Sequence, residues 1–315
     1  MPTCEIRIET AINSRVENFD MPEETKQDHN REARLDRRQF VGASVAAGIA
    51  VSAETVTAAG LEVVEKSVDI KTPDGTCDAA FVHPKSGTHP GVLIWPDAFG
   101  LRPSFREMAK RLAAEGYSVL VPNPFYRVAK DPFTDASKVD FAKERDKITP
   151  LMASINAPGN AEKDAAVFVQ FLDAQKEVNK SKKIGTQGYC MGGPLVVRTA
   201  ASQASRIGAG GSFHGGNLVN NTPNSPHLLA PKIKARMYFG IANSDDKQKP
   251  DDKNVLREAF ASAHVPAEIE VYSTCFHGWC VPDMPPQADG TPTYNKAEAD
   301  RAWGKLLALY KAGLA

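Results

Sequence analysis

An excess of charge of one sign is missing from this chain. Lys and Arg together number 38, and so do Asp and Glu. Proteins whose main partner is nucleic acid or an acidic membrane surface carry a basic excess, so the expected partner is a small molecule. Cysteine is scarce, with five in 315 residues. That is too few for a disulfide scaffold, and no two stand as Cys-x-x-Cys. Cys275 and Cys280 are near enough to close a tight loop, but disulfide geometry is narrow, and the first expectation is free thiols. No His/Cys/Asp cluster has zinc-like spacing, so neither a metal nor another cofactor is implied. There is no internal repeat. No apolar run is long enough to span a bilayer as a stable helix.

What remains is an ordinary globular composition, 42% hydrophobic and 24% charged, in a chain long enough for one large core. Residues 1 to 36 are polar, without apolar period, and read as disordered. Arg37-Arg38-Gln39-Phe40 then opens an uncharged Ala/Gly/Val run from Val41 to Ala53. Small residues at Val51 and Ala53, or at Ala58 and Ala59, suit a peptidase. This resembles a twin-arginine export signal, which implies the export machinery as a partner and a periplasmic or otherwise exported location. The alternative is a charged helix end before an Ala-rich surface helix in a cytoplasmic protein. The expected organisation is a leader over residues 1–60 and one domain over 61–315.

From Leu61 the chain alternates strand-like and helix-like segments, the pattern of an α/β fold. Leu61 to Ile70 and Cys77 to His83 alternate around Thr72-Pro73-Asp74-Gly75, which predicts an antiparallel hairpin. Gly91 to Trp95 is continuously apolar, as in a strand buried on both faces. Tyr117 to Val121, Lys183 to Thr186, Ile207 to Phe213, Ala235 to Ile241 and Ala267 to Tyr272 are further strands. Helical periodicity marks Phe105 to Glu115, Ala161 to Gln175, Leu195 to Ser205, Pro250 to His264 and Lys296 to Leu314. Residues 127 to 160 are polar and suggest short helices over the sheet edge.

One strand-to-helix junction carries chemistry. Gly188-Tyr189-Cys190-Met191-Gly192 places a cysteine at the tip of a turn whose glycines let strand and helix approach closely. The following helix aims its N-terminus at Cys190, favouring a thiolate or an oxyanion, and the Met191 N–H is a candidate oxyanion donor. Partners follow in the order nucleophile, acid, histidine. Asp245, with Asp246 as a rival, lies after the strand ending at Ile241. His277, in Phe276-His277-Gly278-Trp279, lies after the strand ending at Tyr272. Read as Cys-His-Asp, these would attack an acyl carbon, carry the proton and orient the imidazole.

These residues resemble the dienelactone hydrolase (carboxymethylenebutenolidase-like) family from about Leu61 to the C-terminus. The likeness rests on Trp95-Pro96-Asp97-Ala98-Phe99-Gly100, the cysteine elbow, Asp245 and His277-Gly278. It implies an α/β-hydrolase fold, with a mostly parallel central sheet, helices on both faces and an N-terminal antiparallel hairpin. It also implies hydrolysis of an ester or lactone through a thioester. The second oxyanion donor maps to the Ala98 N–H. Asp97 stands where the family has a glutamate that helps deprotonate the thiol; capping the turn is its alternative role. The family arginine a few residues after the histidine is absent here, where Trp279-Cys280-Val281-Pro282 stands. Phe99, Tyr126, Arg127, His214 and Trp279 are candidate pocket residues, or else core and surface residues.

Overall fold

The computed structural model describes residues 60–131 and 141–315. The leader, with Arg37 and Arg38, lies outside them. Val63–Thr72 (β1) and Gly75–Pro84 (β2) form the expected hairpin, pairing Thr72 with Gly75 around Pro73-Asp74. The Thr72 hydroxyl accepts the Asp74 N–H at 3.1 Å, the side-chain bond that makes Thr a turn residue. Gly91–Trp95 (β3), Ser118–Pro122 (β4), Ile184–Tyr189 (β5), Ile207–Phe213 (β6), Arg236–Ala242 (β7) and Ala267–Tyr272 (β8) complete an eight-stranded sheet. Its order is β1-β2-β4-β3-β5-β6-β7-β8. β2 is antiparallel to both its neighbours, and every pairing from β4 to β8 is parallel.

Alternation along the central strands sorts side chains into two cores, because successive residues point to opposite faces. Leu93, Trp95 and Leu120 join the core beneath Asn160–Ala174 (α3), Gly192–Ser202 (α4) and Asp252–Ser262 (α6). Val92, Ile94, Val119 and Val121 join the core beneath Pro103–Ala114 (α1) and Lys296–Gly313 (α7). Burial on both faces is why β3 and β4 read as unbroken apolar runs.

Residues 141–156 depart from expectation. They form one 16-residue helix, Phe141–Asn156 (α2), rather than several short ones. Its buried stripe is thin: among its described side chains Ile148, Leu151 and Ile155 alone are buried, in a polar sequence that also contains Pro150. Among the described residues, no helix is long and apolar enough to cross a membrane. Because the run from β4 to β8 is parallel, the carboxyl ends of β3, β5, β7 and β8 lie along one edge. The loops that follow them hold Asp97, Cys190, Asp245 and His277. That edge is where open α/β sheets bind ligands.

Candidate active site

Cys190 occupies the turn between β5 and α4 with φ +51°, in the left-handed region that costs a non-glycine residue on the order of 1–3 kcal/mol. The flanking glycines are a packing requirement. A Cβ on Gly188 would stand 2.2 Å from the Gly192 carbonyl oxygen, and one on Gly192 would stand 2.3 Å from the Trp95 oxygen. Only hydrogen at both positions lets β5, α4 and the end of β3 meet. The strained backbone is held from behind. The Cys190 N–H donates to the Phe213 carbonyl and to His214 Nδ1, each at 3.1 Å, and the Cys190 carbonyl accepts from Gly193 and Gly216.

His277 reaches the elbow from the loop after β8. Its Nδ1 lies 2.9 and 3.1 Å from the two Asp245 carboxylate oxygens, and the Cys190 side chain is near enough to act on the imidazole's charge. Asp245 is carried by a six-residue helix after β7, Asn243–Gln248 (α5), which the sequence pattern did not reveal. Asp246 faces away from the imidazole and is paired with Lys253 Nζ at 2.7 and 2.8 Å. That separates the two rival carboxylates. Ser244, also unforeseen, accepts the His277 backbone N–H through its hydroxyl at 2.9 Å, tying the histidine loop to α5.

Charge at His277 is set by opposing effects. The ring keeps 36% of its side-chain surface, yet the packed surroundings oppose protonation. The Cys190 sulfur and the Asp245 carboxylate outweigh that burial and raise the imidazole well above the usual histidine range. His214 goes the other way. It is 1% exposed and stands edge-on to His277 with ring centroids 4.8 Å apart. Burial, and then the charge of His277, push it well below the usual range, so it is neutral. Because its Nδ1 accepts from Cys190, its proton resides on Nε2, which is buried without a partner among the described residues.

Ala98 and Met191 bracket the elbow. Neither backbone N–H donates to another described residue, and the Gly192–Trp95 approach brings their two segments together. Two free N–H groups on adjoining segments are the raw material of an oxyanion hole.

Other sequence candidates are placed differently. Asp97 is 2% exposed, and both its oxygens are taken by Arg102, at 2.7 and 3.0 Å; one also accepts the Phe99 N–H. The carboxylate therefore caps the turn and pairs with a buried arginine rather than being held on the thiol. Arg102, which sequence reasoning passed over, is 1% exposed and binds Asp283 as well, through two contacts of 2.8 Å. Burial works against its charge, but Asp97 and Asp283 overcome this and hold it firmly cationic. The trio joins the Ala98 loop to the His277 loop.

Tyr126 and Arg127 have their polar groups committed elsewhere. The Arg127 guanidinium grips Asp164 and Asp74, and the Tyr126 hydroxyl bonds Asp164 and Thr72. They fasten the hairpin to α3 instead of offering those groups to a pocket. Trp279 is fully buried against His214 and Tyr272, so it is a core residue behind the histidines. Phe99 is buried with Ala98 and Ile148. A cleft of about 180 Å³ opens beside Asp245 and His277, lined by Gly215, Leu218, Ile241 and Leu256 with Lys249. Cys77, Cys190, Cys275 and Cys280 are free thiols. Among the described residues, no group of three or more His, Cys, Asp or Glu is placed to hold a metal.

Known proteins share this architecture. The family model described as the dienelactone hydrolase family matches residues 77–314. A carboxymethylenebutenolidase of Rhodococcus opacus is 26% identical over 246 residues, covering 76% of this chain and 88% of that protein. Among solved structures, m3DLH superposes with a TM-score of 0.67 at 22% identity, over 80% of this chain and 99% of that one. The dienelactone hydrolase-like promiscuous phosphotriesterase P91, from metagenomic libraries, gives a TM-score of 0.65 at 21% identity over the same shares. With the family model covering most of its length, this chain belongs to the dienelactone hydrolase family and is a hydrolase of carboxylic esters or lactones.

Proposed function

We propose that Cys190, His277 and Asp245 form a catalytic triad that cleaves an ester or lactone through a thioester. The observation that carries this reading is His277 bound to Asp245 and electrostatically coupled to Cys190, which stands at a strained elbow. With the proton on His277, the sulfur of Cys190 attacks the acyl carbon. The carbonyl oxygen becomes an oxyanion facing the Ala98 and Met191 N–H groups, in the low-dielectric setting where such donors count most. Collapse breaks the bond to the alkoxy oxygen, which takes the His277 proton and leaves as an alcohol, or stays attached in a lactone. His277, now neutral, removes a proton from water as that water attacks the thioester. The second tetrahedral intermediate expels the sulfur, and the proton remains on the imidazole. Asp245 holds the tautomer that points Nε2 at the sulfur throughout.

In this reading no arginine holds a substrate carboxylate beside the scissile bond. Arg102 and Arg127 are each committed to two carboxylates, and the loop after His277 supplies no arginine. An uncharged ester or enol lactone needs no such partner, whereas a carboxylated one would have to be met by Lys249, which lines the cleft. The test is turnover of p-nitrophenyl acetate and a panel of neutral and carboxylated enol lactones by wild type, Cys190→Ser and His277→Ala. Both variants should lose at least about a thousandfold in kcat, as when a triad member is removed. Native turnover in either one overturns the mechanism. Absence of any turnover by wild type would point to a binding protein that kept the fold.

We also propose that the Arg37-Arg38 leader directs export. Residues 1–60 fused to a reporter should carry it out of the cytoplasm, and changing both arginines to lysine should stop it. Export undiminished by that change removes the proposal.

A further inference from the structure

The end of β6 and the turn after it wrap the peptide of the nucleophile. Phe213 and His214 supply the two acceptors of the Cys190 N–H, and the Gly216 N–H donates to the Cys190 carbonyl at 3.2 Å. This segment is itself fixed from β7, because the His214 N–H donates to the Gly240 carbonyl at 2.8 Å. The Phe213 carbonyl alone would satisfy the Cys190 N–H, so pairing the backbone does not require an imidazole on the same donor. Both residues of that contact lie in the left-handed region, Cys190 at φ +51° and His214 at φ +40°. Such conformations persist where the surroundings over-determine them, and they gather at functional sites.

The same ring reaches the base. His214 and His277 have centroids 4.8 Å apart and planes 66° apart. Trp279, two residues beyond His277, packs on the His214 ring at 5.3 Å, and Tyr189, which precedes Cys190, packs on it at 6.0 Å. One buried side chain therefore touches the backbone of the nucleophile and the ring of the base, and is itself held by a neighbour of each. The Asp245 bond fixes one nitrogen of His277. It leaves the plane of the imidazole to packing, and His214 stands against that plane.

From this arrangement we infer that His214 is a positioning residue for hydrolysis, setting the distance and angle between the Cys190 sulfur and the His277 imidazole. It does so by accepting the Cys190 N–H and packing on the His277 ring, and it exchanges no proton in the reaction. An imidazole protonated on Nδ1 has no lone pair there to accept with, so the neutral tautomer is the working one. The inference rests on the triad proposed above and concerns how its two halves are held. Catalytic groups need placement within roughly 0.5 Å, and a misplacement of about 1 Å can cost about a hundredfold in rate.

His214→Asn and His214→Leu isolate the acceptor. Asparagine Oδ1 can stand where Nδ1 stands, and leucine has nearly the same shape without an acceptor. Both lose the ring, so the difference between them reports the bond to Cys190. With the full chain and p-nitrophenyl acetate, His214→Leu should lose about a hundredfold in kcat while KM stays within about threefold. His214→Asn should regain about tenfold of that loss, the worth of one hydrogen bond. Alkylation of Cys190 by iodoacetamide, followed by peptide mass spectrometry, reads the same geometry without ester chemistry. Its rate should fall by about tenfold in His214→Leu and recover in His214→Asn, since a thiol turned from its base is less ionised. Melting curves establish folding. If leucine prevents it, His214→Gln replaces that variant, because its longer amide reaches the Nε2 position and leaves the Cys190 N–H without this acceptor. Wild-type kcat and alkylation in the variant lacking the acceptor overturn the inference. So do equal losses in it and His214→Asn, or a loss carried by KM alone. Failure of the triad is a separate result. Native turnover in Cys190→Ser would remove the thioester, while alkylation would still report whether His214 poises the thiol.

Discussion

Replacing Arg102 with methionine removes one cation and leaves two carboxylates facing a site they no longer match. Arg102 is 1% exposed and Asp97 2%, and four contacts of 2.7 to 3.0 Å join the arginine to Asp97 and Asp283. Breaking a buried ion pair by removing one partner costs about 3–5 kcal/mol, most of it the stranded charge. At about 2–4 °C per kcal/mol for a domain of this size, Tm should fall by about 6–20 °C. Asp97 is the more deeply buried of the two acids, so Asp97→Asn in the Arg102→Met background should restore part of the loss. Scanning calorimetry at pH 7 on the wild type and the single and double variants measures both effects. Activity gives a separate readout. The same trio sets the Ala98 loop against the His277 loop, so kcat should fall more than KM rises, by up to about a hundredfold if one oxyanion donor is misplaced. A Tm within 2 °C of wild type would refute the claim that this network holds the loops together.

The remaining predictions concern the triad and its frame. Asp245→Asn should lower kcat by about 10⁴-fold, the cost of a wrong imidazole tautomer, whereas Asp246→Asn, which loses only the Lys253 pair, should leave kcat within about threefold; equal effects would contradict the assignment. For His277 the native pKa is raised, so its protonation stabilises the fold fully below the unfolded value of about 6.5 and ceases to do so as pH rises through the native value. The Tm difference between wild type and His277→Ala should therefore shrink from pH 6 to alkaline pH, and one that widens would reverse the sign. Gly192→Ala should destabilise by about 1–3 kcal/mol in urea unfolding, because its Cβ would meet the Trp95 oxygen at 2.3 Å.

Periodicity and punctuation were enough to locate nearly every strand and most helices. β6 and β8 coincide with the expected bounds residue for residue. The elbow was legible for the same reason, since Gly-x-Cys-x-Gly between a strand and a helix is a local steric requirement that the structure shows as two close backbone approaches. Local patterns fail where the decisive partner is distant in sequence. Asp245 and Asp246 are adjacent and chemically alike. What separates them is that α5 turns one toward His277, 32 residues on, and the other toward Lys253. Arg102 drew no notice because an arginine before a helix is ordinarily solvated; its burial depends on Asp283, 181 residues away. Tyr126 and Arg127 had the composition of pocket residues, but the hairpin and α3 claimed their polar groups.

By itself, then, the sequence determined the class of the protein, the alternation of its elements and the nucleophile candidate, because these follow from side-chain period and backbone sterics within a few residues. The tertiary structure alone decided which acid meets His277 and which arginine is buried. Each of those depends on charges brought together from positions well separated in the sequence.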